Sequence, residues 1–325
     1  MNGLRRQLLT LPAALAAGLA TSTGVRAQTG ANAVPAPLPT PGGPRNEYRP
    51  RLGQMGKDVI WLPTPDPMIR RMMLMAGVGR DDRLVDLGSG DGRIAIAAAR
   101  DFGARAHGVE FNPDMVELSR RKAAEAGLAE RVTFERGDVF VVDFSYATAV
   151  TLYLLPILNL RLRPILMRMK PGTRIVSYTF DMGSWEPDEI SRIAHYRSFL
   201  WRVPAAAAGT WSLTADGQAE PFPETLTIQQ RFQMISGELQ FGELGVSLIT
   251  PHLQGDQLEF SAMGPRRELL RATARIDGDR ISGRFVYPSG ASVAWRGRRT
   301  TPAHPFEEAV HTQQEEINAS RALGE

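Results

Sequence analysis

The stretch "LVDLGSGDGRIAIAAAR", residues 84–100, runs from apolar positions into a glycine cluster and then into alanines. "RLVDL" has the length and character of a buried strand, and "DGRIAIAAARDF" combines good helix formers with an apolar face. Between them Gly88, Gly90 and Gly92 fall within five residues. A chain built this way turns tightly and keeps its backbone bare enough for a ligand to lie against it. The G-x-G-x-G spacing is tighter than the G-x-G-x-x-G of dinucleotide sites, and the Gly-Lys-Ser/Thr of a P-loop is missing. Asp86 precedes the first glycine by two residues.

Outward from this loop, helix and strand alternate. "DPMIRRMMLMAGV" reads as an amphipathic helix with its methionines and isoleucine inward. "RAHGVE" reads as a strand, "PDMVELSRRKAAEAG" as a helix, and "VTFERGD" and "TAVTLYLL" as strands. "NLRLRPILMRM" is helical, "GTRIVSYTF" is a strand, and "YRSFLWRV" is one more. Such alternation predicts a Rossmann-like α/β fold, a parallel sheet with helices on both faces. Ligands bind these sheets at the carboxyl ends of their strands. Glu110 ends the next strand, in "HGVEFNP", 18 residues beyond Gly92. A carboxylate there can accept both hydroxyls of a ribose, as the acid ~20 residues on does in dinucleotide sites. Asp138, in "ERGDVF", follows the third strand.

Around residue 204 the texture changes to short strand-like runs: "GTWSL", "ETLTIQQRF", "GELQF", "VSLIT", "QLEFSAM", "ELLRATARI", "RISGRFVY" and "ASVAWRGR". Turn signals such as "QGDQ", "DGDR" and "PSG" separate several of them. Roughly eight strands without helices predict an antiparallel, barrel-like domain. Alternation assigns Leu226, Ile228 and Phe232 to its interior. The barrel either binds a small ligand or guides substrate, or it is a packing module.

The ends of the chain have a different character. Arg5 and Arg6, an apolar run over Leu8–Ala20, and "VRA" at 25–27 form the three-part pattern of an export signal, too short to span a bilayer. "LRRQLLT" also resembles a twin-arginine signal. Residues 28–50 are rich in proline and glycine and read as a tether. The expected organisation is a signal peptide at 1–27, a linker at 28–50, an α/β domain at 51–203, a β domain at 204–300 and a polar tail at 301–325.

The 325 residues carry a formal charge of +3. Cleavage after Ala27 removes three arginines and no acid, leaving the mature chain neutral, without a global bias toward nucleic acid or anionic membrane. No cysteine is present, which excludes disulfides, thiolate metal sites and a cysteine nucleophile. The histidines have no metal-ligand spacing.

"WLPTP", "VDLGSGDGRIAIAAA", "GVEFNP" and "VTLYLLPILNLRLRPILMRMKPGTRIVS" together resemble the seven-strand S-adenosyl-L-methionine (SAM) dependent methyltransferases. The similarity spans roughly residues 58–185. Within that class it looks closest to the small protein-lysine methyltransferases of archaea and their mitochondrial relatives that act on an ATP synthase subunit. The resemblance implies SAM as cofactor, with Thr64 near its carboxylate and Asp86, Gly88, Gly90 and Asp91 around its methionine moiety. It places Glu110 on the ribose, Asp138 and Val139 beside adenine, and Tyr153 beside the transferable methyl as the catalytic candidate. Two departures stand out. The fourth motif is "LYLLP" rather than a polar-Pro-Pro-aromatic sequence, and Tyr178 occupies the place where this branch leads one to expect an imidazole.

The expectation is N-methylation of a protein lysine, with a small-molecule methyltransferase and a non-catalytic periplasmic binding protein as alternatives. The expected partner is a protein-lysine or small-molecule acceptor, without nucleic acid and without stable membrane insertion once the signal is removed. The expected location is periplasmic, the alternative cytoplasmic.

Overall fold

Pro65 and Pro67 open the first helix, α1 (Asp66–Ala76), where a missing amide proton costs nothing. Gly77, at φ 59°, closes it by donating its N–H back to Leu74. Met68, Ile69, Met72, Met73 and Met75 face inward. Then come β1 (Arg83–Leu87), α2 (Arg93–Phe102), β2 (Arg105–Glu110), α3 (Pro113–Glu125) and β3 (Val132–Arg136). After these follow β4 (Ala149–Leu152), α4 (Pro156–Leu166), β5 (Arg174–Tyr178), β6 (Glu189–Ile193) and β7 (Tyr196–Arg202). This computed structural model describes residues 48–57, 60–217, 221–301 and 316–318. The expected signal, nearly all of the linker and most of the tail lie outside the described residues.

The seven strands form one sheet in the order β3-β2-β1-β4-β5-β7-β6. β1 runs parallel to both β2 and β4, so the order reverses there and opens a crevice at the strands' carboxyl ends. The sheet is mixed rather than purely parallel, because β7 runs antiparallel to β5 and β6 antiparallel to β7. The short connection from Ile193 to Tyr196 permits only an antiparallel hairpin. The alanines of α2 bring that helix close to the sheet, with Ala95, Ala98 and Ala99 buried. Gly108 on β2 is obligatory, since a Cβ there would meet Phe134 and Ser89.

The second sheet contains nine strands: β8 (Gly209–Ala215), β9 (Thr225–Arg231), β10 (Met234–Phe241), β11 (Leu244–Ser247), β12 (Ile249–Gln254), β13 (Gln257–Met263), β14 (Leu269–Asp277), β15 (Arg280–Val286) and β16 (Ser292–Arg299). All pair antiparallel, with β11 and β12 at the two edges. "VSLIT" is therefore two strands rather than one. The chain leaves one edge at Ser247 and enters the other at Ile249, and this corner nearly closes the sheet into a barrel. Burial alternates strictly along β14, and Trp211, Trp295, Phe260 and Phe285 fill the interior.

Leu226 and Ile228 point into the barrel, but Phe232 does not. β9 ends at Arg231, and Phe232 sits in the hairpin turn at φ 56°. Alternation stops with the strand, so its ring leaves the barrel and joins the core beneath α4. There it stacks on Trp185 at 6.0 Å and lies 5.5 Å from the Arg163 guanidinium. Gln233 beside it accepts from Trp185 Nε1 and donates to the Glu186 carbonyl. The described residues from Tyr48 onward accordingly cluster as one compact unit, although the main core changes hands near Val203 and Ala205.

Candidate functional site

At the carboxyl ends of β1, β2 and β4 lies a cavity of about 220 Å³. Thr64, Asp86, Gly88, Gly90, Asp91, Glu110, Asp138, Val139 and Tyr153 all line it. The sequence thus brings residues 89 positions apart to one surface.

The glycine loop forms its floor. Gly88, Gly90 and Gly92 have φ of 78°, 54° and 78°, a region that side chains rarely adopt. A Cβ on Gly90 would stand 2.7 Å from Trp61 Nε1, and one on Gly88 2.9 Å from Leu154 Cδ2. Glu110 staples this loop to the next helix. Its Oε2 accepts the Gly90 N–H at 2.9 Å, and its Oε1 accepts the Asn112 N–H at 2.9 Å. Asn112 in turn caps α3 by accepting from Asp114 N. Each carboxylate oxygen retains acceptor capacity toward the cavity.

The remaining acids are handled differently. Asp86 is buried between the strands flanking β1, and Thr151 on β4 donates its hydroxyl to Oδ1 at 2.7 Å. Burial pushes its carboxyl up to about 7, helped by the nearby charges of Glu110 and Asp91 and opposed by Thr151. Asp91 is also buried, which by itself raises its pKa. The Arg93 fork, two contacts of 2.9 Å, and Lys122 at 2.6 Å outweigh burial and hold it below the usual carboxylate range. Asp91 therefore borders the cavity with both oxygens already engaged. Asp138 is held low by Lys57 Nζ at 2.7 Å and by the Phe140 N–H.

Several cavity residues escaped sequence reasoning. Arg93 sits one residue after the third glycine, and it also reaches the Thr64 carbonyl at 3.3 Å. Lys57 comes from an N-terminal arm without periodicity, so no pattern marked it, and Trp61 was quoted only as part of "WLPTP", without a role of its own. Lys57 bridges Asp138 and the Phe111 ring, 4.9 Å from its centroid.

At the other end, Tyr153 meets the edge of Tyr178 at 4.7 Å, and Tyr196 packs on Tyr178 at 5.9 Å. Thr179, at φ 74°, sits against both phenols. Burial raises the Tyr153 phenol, with Thr179 partly opposing and Tyr196 adding to the rise. Tyr178 is 2% exposed and stands behind Tyr153 rather than on the cavity wall. No group of three His, Cys, Asp or Glu residues placed to hold a metal occurs among the described residues.

These features fit SAM, judged by the donor set alone. Arg93 offers a cation for a carboxylate, Asp86 and Glu110 offer acceptors for an ammonium and a diol, and the bare Gly88–Gly90 backbone admits close approach.

Residues 86–189 match the family model described as the ANTKMT methyltransferase domain. The protein-lysine N-methyltransferase of Saccharolobus islandicus is 42% identical over 137 residues, covering 42% of this chain and 85% of that enzyme. The adenine nucleotide translocase lysine N-methyltransferase of Mus musculus is 37% identical over 148 residues, 45% of this chain and 64% of that enzyme. Among solved structures, an RNA methyltransferase from Salinibacter ruber in complex with S-adenosyl-L-homocysteine shares 50% identity. It has a TM-score of 0.43 and covers 44% of this chain and 94% of that one. With the glycine loop and acidic strand ends in place, and with most of the archaeal enzyme covered, the chain belongs to this family of SAM-dependent methyltransferases.

Proposed function

We propose that this enzyme methylates the side-chain amine of a protein lysine. One observation carries the reading: the acceptor end of the cavity is walled by Tyr153, backed by Tyr178 and Tyr196. The groups acting on the Tyr153 hydroxyl are Thr179 and Tyr196, with no carboxylate or imidazole among them. A lysine amine has an ordinary pKa of ~10.4 and must be neutral to attack. A low-dielectric phenolic wall disfavours its charged form, while a nearby carboxylate would favour it. The names of the archaeal and mouse relatives point to the same acceptor class.

Bound in the cavity, SAM supplies a methyl already activated on a sulfonium, so alignment and desolvation are the protein's main tasks. In this proposal Glu110 holds the ribose, Asp91 borders the methionine moiety, and Arg93 takes the carboxylate. Asp86 faces the amino group, Asp138 and Val139 border adenine, and Thr64 closes the carboxylate end. The Tyr153 hydroxyl accepts one N–H of the incoming amine and turns its lone pair toward the methyl. The barrel is a packing module in this reading, consistent with its filled interior.

The proposal extends to location: the chain is exported, the mature protein starts near Gln28, and it acts outside the cytoplasm. The leader pattern in residues 1–27 supports this. N-terminal sequencing of the protein recovered from cells tests it, and an intact Met1 would refute it. Incubation of the full chain with methyl-labelled SAM and cell-envelope protein, followed by amino-acid analysis, tests the acceptor. Label recovered as methyl-lysine is expected, and dependent on Tyr153. Label confined to small molecules or nucleic acid would overturn the lysine assignment while leaving the cofactor intact.

A further inference from the structure

The barrel's outer surface carries a charge arrangement that the methyltransferase reaction does not use. Between Met263 and Arg299 lie nine arginines and three acidic residues. Arginine abundance alone means little in a chain so rich in it, but the strand register is informative. Arg280 on β15 stands directly opposite Arg298 on β16, and Ser282 stands opposite Arg296 in the next row of the same face. Ser212 of β8 extends the first row beside Arg298. Residues directly opposite have Cβ atoms ~5 Å apart, and like charges in such a pair destabilise the sheet.

Neighbouring arginines have a local remedy. Arg275 pairs with Asp256 at 2.7 Å, Arg296 with Asp216, and Arg299 with Asp279 at 2.9 Å. Among the described residues, neither Arg280 nor Arg298 forms an ion pair, although Asp277 stands opposite Arg280 in the adjacent strand. Both line one groove together with Ser212, Ser282, Arg296 and Lys170, the last contributed by the methyltransferase half. The groove thus presents two guanidinium forks that form no ion pair among the described residues, flanked by hydroxyl donors. Of the two carboxylates in its lining, Asp256 is held by Arg275, and Asp277 is the one opposite Arg280.

We propose that this groove is a binding site for a multiply charged oxyanion of the phosphate type. Arg280 and Arg298 supply its two forks, and Ser282 and Ser212 the flanking hydrogen bonds. Guanidinium forks match the oxygens of phosphate two at a time. A bound anion relieves the repulsion between the opposed arginines. The site shares no residue with the SAM cavity and does not depend on the lysine proposal.

The test is calorimetric titration of pyrophosphate into the full chain, with chloride matched for ionic strength. Phosphatidylglycerol vesicles are titrated in parallel, with phosphatidylcholine as their control. Saturable pyrophosphate binding that weakens tenfold or more in Arg298→Gln is expected. Vesicle binding with the same loss supports the site and identifies a lipid headgroup as the source of the phosphate. Both side chains are exposed, so Arg298→Gln should fold. At low salt without ligand its thermal midpoint should equal or exceed that of the wild type. Absence of binding to either probe, equal binding by the variant, or a lower midpoint of the variant at low salt would overturn the proposal.

Discussion

Removing the Glu110 carboxylate tests the site at its most connected point. The side chain makes two charge-assisted hydrogen bonds of 2.9 Å, to the Gly90 and Asn112 amides. In the proposed complex it also accepts the ribose hydroxyls. Glu110→Ala leaves two amides to water in a half-buried position. Hydrogen bonds to charged groups contribute about 1.5–3 kcal/mol, so losing the ribose contact alone weakens SAM roughly ten- to hundredfold. Loss of the staple adds to this, because Gly90 at φ 54° no longer has its partner. Glu110→Gln separates the two effects. Its amide has one acceptor oxygen, so it can serve Gly90 or Asn112 but not both. The glutamine variant should therefore also bind SAM at least about tenfold more weakly, despite its matched shape. Calorimetric titration of SAM into wild type and both variants measures this, with circular dichroism to establish folding. A folded Glu110→Ala protein with wild-type affinity would refute the role of this carboxylate and the reasoning that assigns it.

Three more perturbations follow from the same geometry. Asp86 has its folded pKa raised to about 7 from an ordinary 3.8, so its neutral form favours the fold. Its contribution is complete at low pH and is lost as pH rises from about 4 through 7. Asp86→Asn keeps an acceptor for Thr151 and should flatten that loss, seen as a smaller drop in urea midpoint between pH 5 and pH 8. Lys57→Ala breaks a largely exposed pair with Asp138, which costs less than about 1 kcal/mol of stability. It should instead speed SAM dissociation in stopped-flow experiments, since Lys57 ties the N-terminal arm across the cavity. Phe232→Ala empties a ring-sized space between Trp185 and Arg163 and should cost about 3–5 kcal/mol. Denaturation should then show the barrel and the α/β half separating into two transitions, whereas one unshifted transition would mean that the ring does not join them.

The strand–loop–helix at residues 84–100 was legible because three needs coincide there: a buried strand, a left-handed turn and a helix. Glu110 was legible for a related reason, as an acid that ends an apolar strand at the correct distance from the loop. What sequence did not reveal lay where residues act across long separations or break alternation. β6, "EISRI", is an edge strand with one buried residue, so it carries little apolar signal. Leu248 turns a corner inside a continuous β-like run and hides the boundary between β11 and β12. Phe232 reads as barrel core until the turn ends the alternation. The partnership of Lys122 with Asp91 crosses 31 residues and one strand, and nothing in either local pattern announces it.

Asp86, Asp91 and Glu110 bring three carboxylates to one cavity, and like charges so close oppose one another unless each is compensated. The chain uses a different means for each. Asp91 is enclosed by Arg93 and Lys122, which makes it part of the scaffold. Glu110 is held by backbone amides, which leave its charge directed at the cavity. Asp86 is buried until its proton is shared near neutrality. A cationic ligand in the cavity meets the Glu110 side chain and, by its charge, favours ionisation of Asp86. The neutral thioether left after methyl transfer has lost the sulfonium charge and keeps only its amino group to face those acids. In the proposed complex the arrangement therefore favours a cationic ligand over a neutral one. Moving Arg93 or Lys122 away from Asp91 would erode it, because an uncompensated third carboxylate raises the proton affinity of Asp86 and leaves it neutral when the donor arrives.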